Sequence, residues 1–206
     1  MIAIINYGSG NIQAIGNIYG RLNIPFVTAA KPEELAKADR FVLPGVGAFD
    51  QAMNELDRSG LRRALDKCVM EERKPVLGIC VGMQLLAQDS EEGVAAGLGW
   101  IDGKVKKFDH AEFQQATRLP HMGWNTVEPV RADPLFEGVD LQSGFYFLHS
   151  YHFSCVEESD VLAVTNYGGR FSSAVKRGNI YGVQFHPEKS HQAGVKLLSN
   201  FARWVV

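Results

Sequence analysis

Apolar and polar positions alternate between two periods along the first half of the chain. Met1–Asn6 is a short apolar run read as a first β-strand. Asn11–Leu22 places Ile12, Ile15, Tyr19 and Leu22 at helical spacing. Ile24–Thr28 reads as a second strand. Lys31-Pro32-Glu33-Glu34 opens a helix, with proline and acids in the first turn. Phe41–Leu43 is a strand ending at Pro44. Leu61, Leu65 and Cys68 or Val69 share a helical face that closes before Pro75, and Val76–Ile79 is a buried strand. This βαβα order predicts an α/β fold: an open, mostly parallel central sheet flanked by helices.

The second half changes character. Lys104–Phe108, Thr126–Val130, Phe145–Phe153, Val161–Thr165 and Ile180–Phe185 read as strands with little helix between them, so extra antiparallel strands are expected there. Asp133-Pro134, Tyr167-Gly168-Gly169 and Arg177-Gly178-Asn179 punctuate them as turns. Val195, Leu198, Phe201, Ala202 and Val205 predict a terminal helix. The 206 residues contain no repeat or linker, and 1–206 is expected to be a single domain.

Composition narrows the function classes. A formal net charge of −2 gives no basic footprint for nucleic acid. No apolar run is long enough to span a bilayer, and the first residues lack the positive region of a signal peptide. The cysteines, Cys68, Cys80 and Cys155, are odd in number and without paired spacing, so a reducing cytoplasm is the expected setting. No His/Cys cluster has metal-ligand spacing; no metal or other cofactor is expected. Gly8-Ser9-Gly10 sits between a strand and a helix, but Gln13 stands where a dinucleotide loop needs its last glycine.

One motif carries chemistry. Gly78-Ile79-Cys80-Val81-Gly82 joins an apolar strand to a helix-like run. A nucleophile elbow has this form: small residues two before and two after relieve the clashes of a strained turn. Cys80 at a helix N-terminus would have its thiolate favoured, with the Val81 N–H aimed at a developing oxyanion. A buried cysteine in a packing turn fits the same five residues. A nucleophilic thiol needs an oriented base. His186-Pro187-Glu188 ends an apolar strand; in an extended segment residues two apart share a side, so Glu188 would hold one imidazole nitrogen while the other faces Cys80. Pro44-Gly45-Val46-Gly47 follows another strand and reads as the second half of an oxyanion hole, or as an ordinary glycine turn. Gln84, one turn past the cysteine, is positioned to hydrogen-bond a substrate, or is a solvated helix residue. Cys68 and Cys155 read as structural.

Together these segments resemble the class I (triad) glutamine amidotransferases. Tyr7–Asn11, Pro120-His121-Met122-Gly123-Trp124-Asn125 and His186–Ser190 are similar, more narrowly, to the glutaminase subunits of imidazole glycerol phosphate synthases, over essentially the whole chain. The resemblance implies that Cys80, His186 and Glu188 form a triad that hydrolyses glutamine through a cysteinyl thioester. It implies an oxyanion hole from Val46, Gly47 and Val81. Glutamine contacts would come from Gly45, Gln84, His149, Ser150 and Tyr151. The implied partner is a cyclase subunit, a (β/α)8 barrel, met through Asn11, the His121–Trp124 loop, Tyr146 and Lys189. That subunit would consume the ammonia to make imidazole glycerol phosphate and an aminoimidazole carboxamide ribotide in histidine biosynthesis. Alternatives are the glutaminase of another synthase (anthranilate, carbamoyl phosphate or pyridoxal phosphate), a non-catalytic regulatory module, and a cysteine peptidase of similar topology.

Overall fold

The computed structural model describes residues 1–109 and 118–203. Val205, read as part of the terminal helix, lies outside the described residues. The chain runs β1 (Ile2–Ile5), α1 (Ile12–Arg21), β2 (Phe26–Ala29), α2 (Pro32–Leu35), β3 (Arg40–Gly45), α3 (Phe49–Arg58), α4 (Leu61–Asp66), β4 (Val76–Cys80) and α5 (Val81–Gln84). It continues through β5 (Asp89–Ser90), β6 (Gly103–Lys107), β7 (His121–Asn125), β8 (Glu128–Pro129), β9 (Phe145–His149) and β10 (Tyr151–Cys155). β11 (Val161–Asn166), β12 (Arg170–Arg177), β13 (Ile180–Val183) and α6 (His191–Arg203) complete it.

The main sheet has the order β2-β1-β3-β4-β13-β12-β10-β6-β5. Strands β2 through β13 of that order are parallel. From β13 to β6 the pairing is antiparallel. β1, β4 and β13 are buried along their whole lengths, as expected of strands covered on both faces. β1 lies between β2 and β3, so connections leave it in opposite directions. The carboxyl ends of β1 and β3 therefore flank a crevice of the kind where open α/β sheets bind ligands.

Several elements differ from the sequence-based expectation. Helix α3 was not among the predicted elements, although Phe49, Ala52, Met53 and Leu56 bury one face at helical spacing. β12 was also absent from them, because Ser172-Ser173 interrupts its apolar alternation. The predicted run Phe145–Phe153 breaks at Ser150 into β9 and β10, which lie in different sheets. The predicted His121–Trp124 loop is strand β7, paired antiparallel with β9 from His121↔His149 to Asn125↔Phe145. Its Gly123, at φ +126°, has no strand preference of its own; pairing with β9 makes the strand. β3 continues through Pro44 to Gly45, because pairing with β1 stops at Val42 and no donor is needed on that side.

The β7–β9 ribbon is joined to the main sheet by two buried histidines. His149 Nδ1 lies 2.8 Å from the Tyr151 carbonyl oxygen, which can only accept, so Nδ1 carries the proton. His149 Nε2 then accepts from His121 Nδ1 at 3.0 Å, and His121 Nε2 accepts from Asn125 Nδ2 at 3.3 Å. His121 is also stacked between Phe147 and Tyr167, with ring centres 4.6 and 3.8 Å away. The chain of donors requires both rings neutral. Burial lowers the His121 pKa to about 4. Burial, then the neighbouring His121, holds His149 well below the usual histidine range.

Close packing fixes the turn after β4. A Cβ on Gly82 would lie 1.9 Å from the Leu43 carbonyl oxygen, and one on Gly78 2.5 Å from the Gly82 oxygen. Gly82→Ala should therefore cost about 3 kcal/mol or more, read as a lowered urea midpoint; a loss below 1 kcal/mol would contradict the packing. The histidine pair sets a pH dependence. Its folded pKa values are depressed, so the stability it contributes is present above about pH 6.5 and lost as pH falls towards 4. The expected slope is about 1 kcal/mol per pH unit for each histidine. His121→Gln should roughly halve it in urea titrations between pH 6.5 and 4.5; an unchanged slope would show that the rings do not titrate in this window.

Candidate active site

Cys80 ends β4 with φ 55° and ψ −113°. A non-glycine residue in this region stores about 1–3 kcal/mol of strain, tolerated only where the surroundings over-determine it. Gly78 and Gly82 allow the turn, as the sequence predicts. The thiol is 4% exposed and lies at the floor of a cavity of about 490 Å3. In its neutral form it donates weakly to the Leu148 carbonyl at 3.9 Å. α5 is a single turn, so any field at its N-terminus comes from a few peptide groups.

His186 reaches the same cavity from the end of β13. Its backbone N–H donates to the Tyr146 carbonyl at 2.8 Å, and its carbonyl accepts from Ser190 Oγ at 2.6 Å. Pro187 follows, and His186 is extended at φ −101°, ψ 93°. Pro187–Lys189 is a 3-10 turn rather than the extended segment expected from sequence. That turn still returns the Glu188 carboxylate to the ring: Nδ1 donates to Oε1 at 2.8 Å. The ring shares the cavity with the Cys80 sulfur, which acts on it electrostatically. The order is sulfur, imidazole, carboxylate.

Electrostatics follow this geometry. Burial alone would lower the His186 pKa, but its interactions with Cys80 and Glu188, which favour the protonated ring, raise it to about 10. Burial likewise opposes ionisation of Glu188, yet His186 and a hydrogen bond from Asn11 bring its pKa below the usual value. Asn11 Nδ2 donates to Glu188 Oε1 at 2.6 Å. The residue expected at the partner surface thus also braces the carboxylate. Glu188 Oε2 is buried without a hydrogen-bond partner among the described residues.

The expected oxyanion groups have mixed placements. Val46, Gly47 and Val81 all line the cavity. The Val46 N–H, however, donates to Ser9 Oγ at 3.0 Å, and the same hydroxyl donates back to the Val46 carbonyl at 2.9 Å. Gly45 is not among the lining residues; it pairs with Cys80, and a Cβ there would fall 2.6 Å from the Gly82 nitrogen. Its glycine is required by packing.

The remaining predicted contacts gather on the opposite wall. Gln84, His149, Ser150 and Tyr151 line the cavity. Gln84 is buried rather than solvated, and its Nε2 donates to the Tyr151 carbonyl and to Gln184 Oε1, both at 3.1 Å. Two residues escaped the sequence reading. Glu92 lines the cavity with a carboxylate that accepts from the Phe49 N–H at 2.8 Å; in Ser90-Glu91-Glu92-Gly93 it looks like any solvated acid. Gln184 is fully buried beside the sulfur, and its one signal is an amide inside the apolar run before His186.

The proposed interface residues divide. Met122 and Trp124 are 64% and 47% exposed. Trp124 stacks on His191 with ring centres 4.9 Å apart, and Lys189 Nζ lies 5.5 Å from the Tyr146 ring centre. Lys189 also lines the cavity mouth. His121 does not face outward; it is 2% exposed and turned to His149. Among the described residues, no cluster of three or more His, Cys, Asp or Glu could hold a metal ion. Among them, too, no helix is long and apolar enough to cross a membrane.

Comparisons with known proteins classify the chain. Residues 3–204 match the family described as "Glutamine amidotransferase class-I". The chain is 53% identical over 202 residues to "Imidazole glycerol phosphate synthase subunit HisH" of Bdellovibrio bacteriovorus, covering 98% of this chain and 99% of the relative. It is 44% identical over 205 residues to "Imidazole glycerol phosphate synthase subunit HisH 2" of Pseudomonas aeruginosa, covering 100% of both. Among solved structures, the glutaminase domain of Trypanosoma brucei CTPS with bound acivicin superimposes with TM-score 0.66 at 17% identity, over 98% of this chain and 92% of that one. PurLQS from Thermotoga maritima does so with TM-score 0.66 at 17% identity, over 100% and 98%. At those identities the structural likeness speaks for the fold alone. The family match over nearly the whole length and the relatives' identities decide the classification: this chain belongs to the class-I glutamine amidotransferase family.

Proposed function

We propose that the chain, acting as one domain, is the glutaminase subunit of an imidazole glycerol phosphate synthase. It hydrolyses glutamine to glutamate and ammonia, and passes the ammonia to a (β/α)8 cyclase subunit in histidine biosynthesis. The observation that carries the reading is the His186 imidazole, held by Glu188 at 2.8 Å in the cavity that also holds the Cys80 sulfur, in a chain whose relatives bear that subunit's name.

The groups present suit each step. His186 holds the thiol proton, leaving Cys80 as thiolate, and Glu188 stabilises the imidazolium. The sulfur attacks the side-chain amide carbon of glutamine. The oxygen gains negative charge, and N–H groups of the Val46–Gly47 strand and of Val81 receive it. His186 then returns the proton to the departing nitrogen: the C–N bond breaks, ammonia leaves, and a γ-glutamyl thioester stays on Cys80. Water, deprotonated by His186, cleaves the C–S bond and releases glutamate.

Substrate placement follows from charge. Glu92 offers the cavity a carboxylate for the α-ammonium of glutamine. The Ser150–Tyr151 backbone and Gln84 Oε1, the acceptor end of an amide whose Nε2 is engaged by Tyr151 and Gln184, offer further polar contacts. The Val46 N–H is engaged by Ser9, so the strand must turn before it serves the oxyanion. This supports low turnover by the free chain and activation by a partner seated on the exposed Met122 and Trp124. Ammonia is protonated in bulk water, which favours direct transfer between subunits in a cytoplasmic complex.

Cys80→Ala should reduce glutamine-dependent synthesis in the complex by roughly three orders of magnitude or more, while synthesis from added ammonia continues. Glutamate release by that variant would refute the nucleophile. Glu92→Gln should raise KM for glutamine by about 10-fold or more with kcat changed less; an unaltered KM would remove Glu92 from substrate binding.

A further inference from the structure

Gln184 is packed beside the Cys80 sulfur, where the triad assigns it nothing. It is fully buried, and its backbone N–H is fixed to the Ser173 carbonyl on β12 at 2.9 Å. Its side chain spans two groups: Oε1 lies 3.1 Å from Gln84 Nε2, and Nε2 lies 3.8 Å from Cys80 Sγ. The two ends of an amide are alike in shape, so the end facing the sulfur must follow from its partners.

The partners leave one answer. The Tyr151 carbonyl oxygen only accepts, so the Gln84 atom 3.1 Å from it is the NH2 group. That same NH2 is 3.1 Å from Gln184, and the atom it meets must be the oxygen. The NH2 of Gln184 is then the end at the sulfur. The Tyr151 carbonyl is itself held by His149 Nδ1–H at 2.8 Å. A backbone group that cannot turn over thus dictates the orientation of two side-chain amides in series.

We propose that Gln184 is a catalytic hydrogen-bond donor to the Cys80 thiolate, held donor-end first by Gln84 and the Tyr151 carbonyl. The proposal rests on Cys80 being the nucleophile. A thiolate can only accept, and in this buried position few waters reach it. Gln184 Nε2 stands where it can donate to that charge. No proton moves through Gln184. It stabilises the charge before attack and again when sulfur departs from the thioester. Among the described residues, the other ionisable groups around the sulfur are His186, with Glu188 behind it, His149, Glu92 and Lys189 of the same cavity, and the buried Tyr7 phenol, whose pKa burial raises.

The test is the pH profile of Cys80 alkylation by iodoacetamide in the full chain, without glutamine or partner. Peptide mass spectrometry separates Cys80 from Cys68 and Cys155. Gln184→Met removes the donor at similar length, and Gln184→Glu puts an oxygen in its place. The midpoint should rise by about one pH unit in the Met variant and further in the Glu variant, with alkylation about 10-fold slower below the midpoint. Unchanged midpoints in the folded variants overturn the proposal. Because the site is buried, the wild-type chain answers the same question by NMR. The Gln184 side-chain amide protons should shift with the midpoint of Cys80 alkylation, and their constancy across it overturns the proposal. Neither measurement uses glutamine, so a failure here leaves the glutaminase reading to the Cys80→Ala result.

Discussion

The site depends on one close approach: the backbone of Gly82 lies against the Leu43 carbonyl, at a distance where even a methyl group would clash. That contact draws the first turn of α5 onto β3 and holds Cys80 at positive φ, at the carboxyl end of β4. Everything else at the site is brought to a fixed sulfur. β13 lies next to β4 in register, so a residue just beyond its end arrives beside Cys80 without a long loop. The strain at Cys80 is offset by the pairing of β4 on both sides.

The polar groups around the sulfur form two chains that meet there. One runs from Asn11 through Glu188 to His186. The other runs from Asn125 through His121 and His149 to the Tyr151 carbonyl, and from there through Gln84 to Gln184. In a low-dielectric interior, a connected network of this kind specifies orientation as well as contributing energy. The second chain starts on β7, the strand that also presents Met122 and Trp124 to solvent. The exposed ribbon and the nucleophile therefore share one rigid set of hydrogen bonds.

Much of this was legible before any coordinates. Buried parallel strands announce themselves as continuous apolar runs, so β1, β4 and β13 were clear, and with them the placement of Cys80 and His186 at strand ends. The glycines flanking Cys80 are legible because tight turns restrict residue type. What was not legible depends on contacts between distant segments. β7 has no strand signature around Gly123 and forms only against β9. The return of Glu188 to His186 uses a 3-10 turn where periodicity suggested extended chain. Glu92 and Gln184 acquire meaning only from what stands next to them, and the Val46 N–H meets Ser9 through a contact across 37 residues.

The central claim is that Cys80 carries the covalent intermediate. Acid-quenching the complex during turnover with glutamine and mapping its peptides by mass spectrometry tests this directly. The account predicts a γ-glutamyl group on the Cys80 peptide that appears with glutamine and disappears as glutamine is exhausted. Continuing turnover with no adduct at Cys80, or with the adduct on the Cys68 or Cys155 peptide, would contradict it.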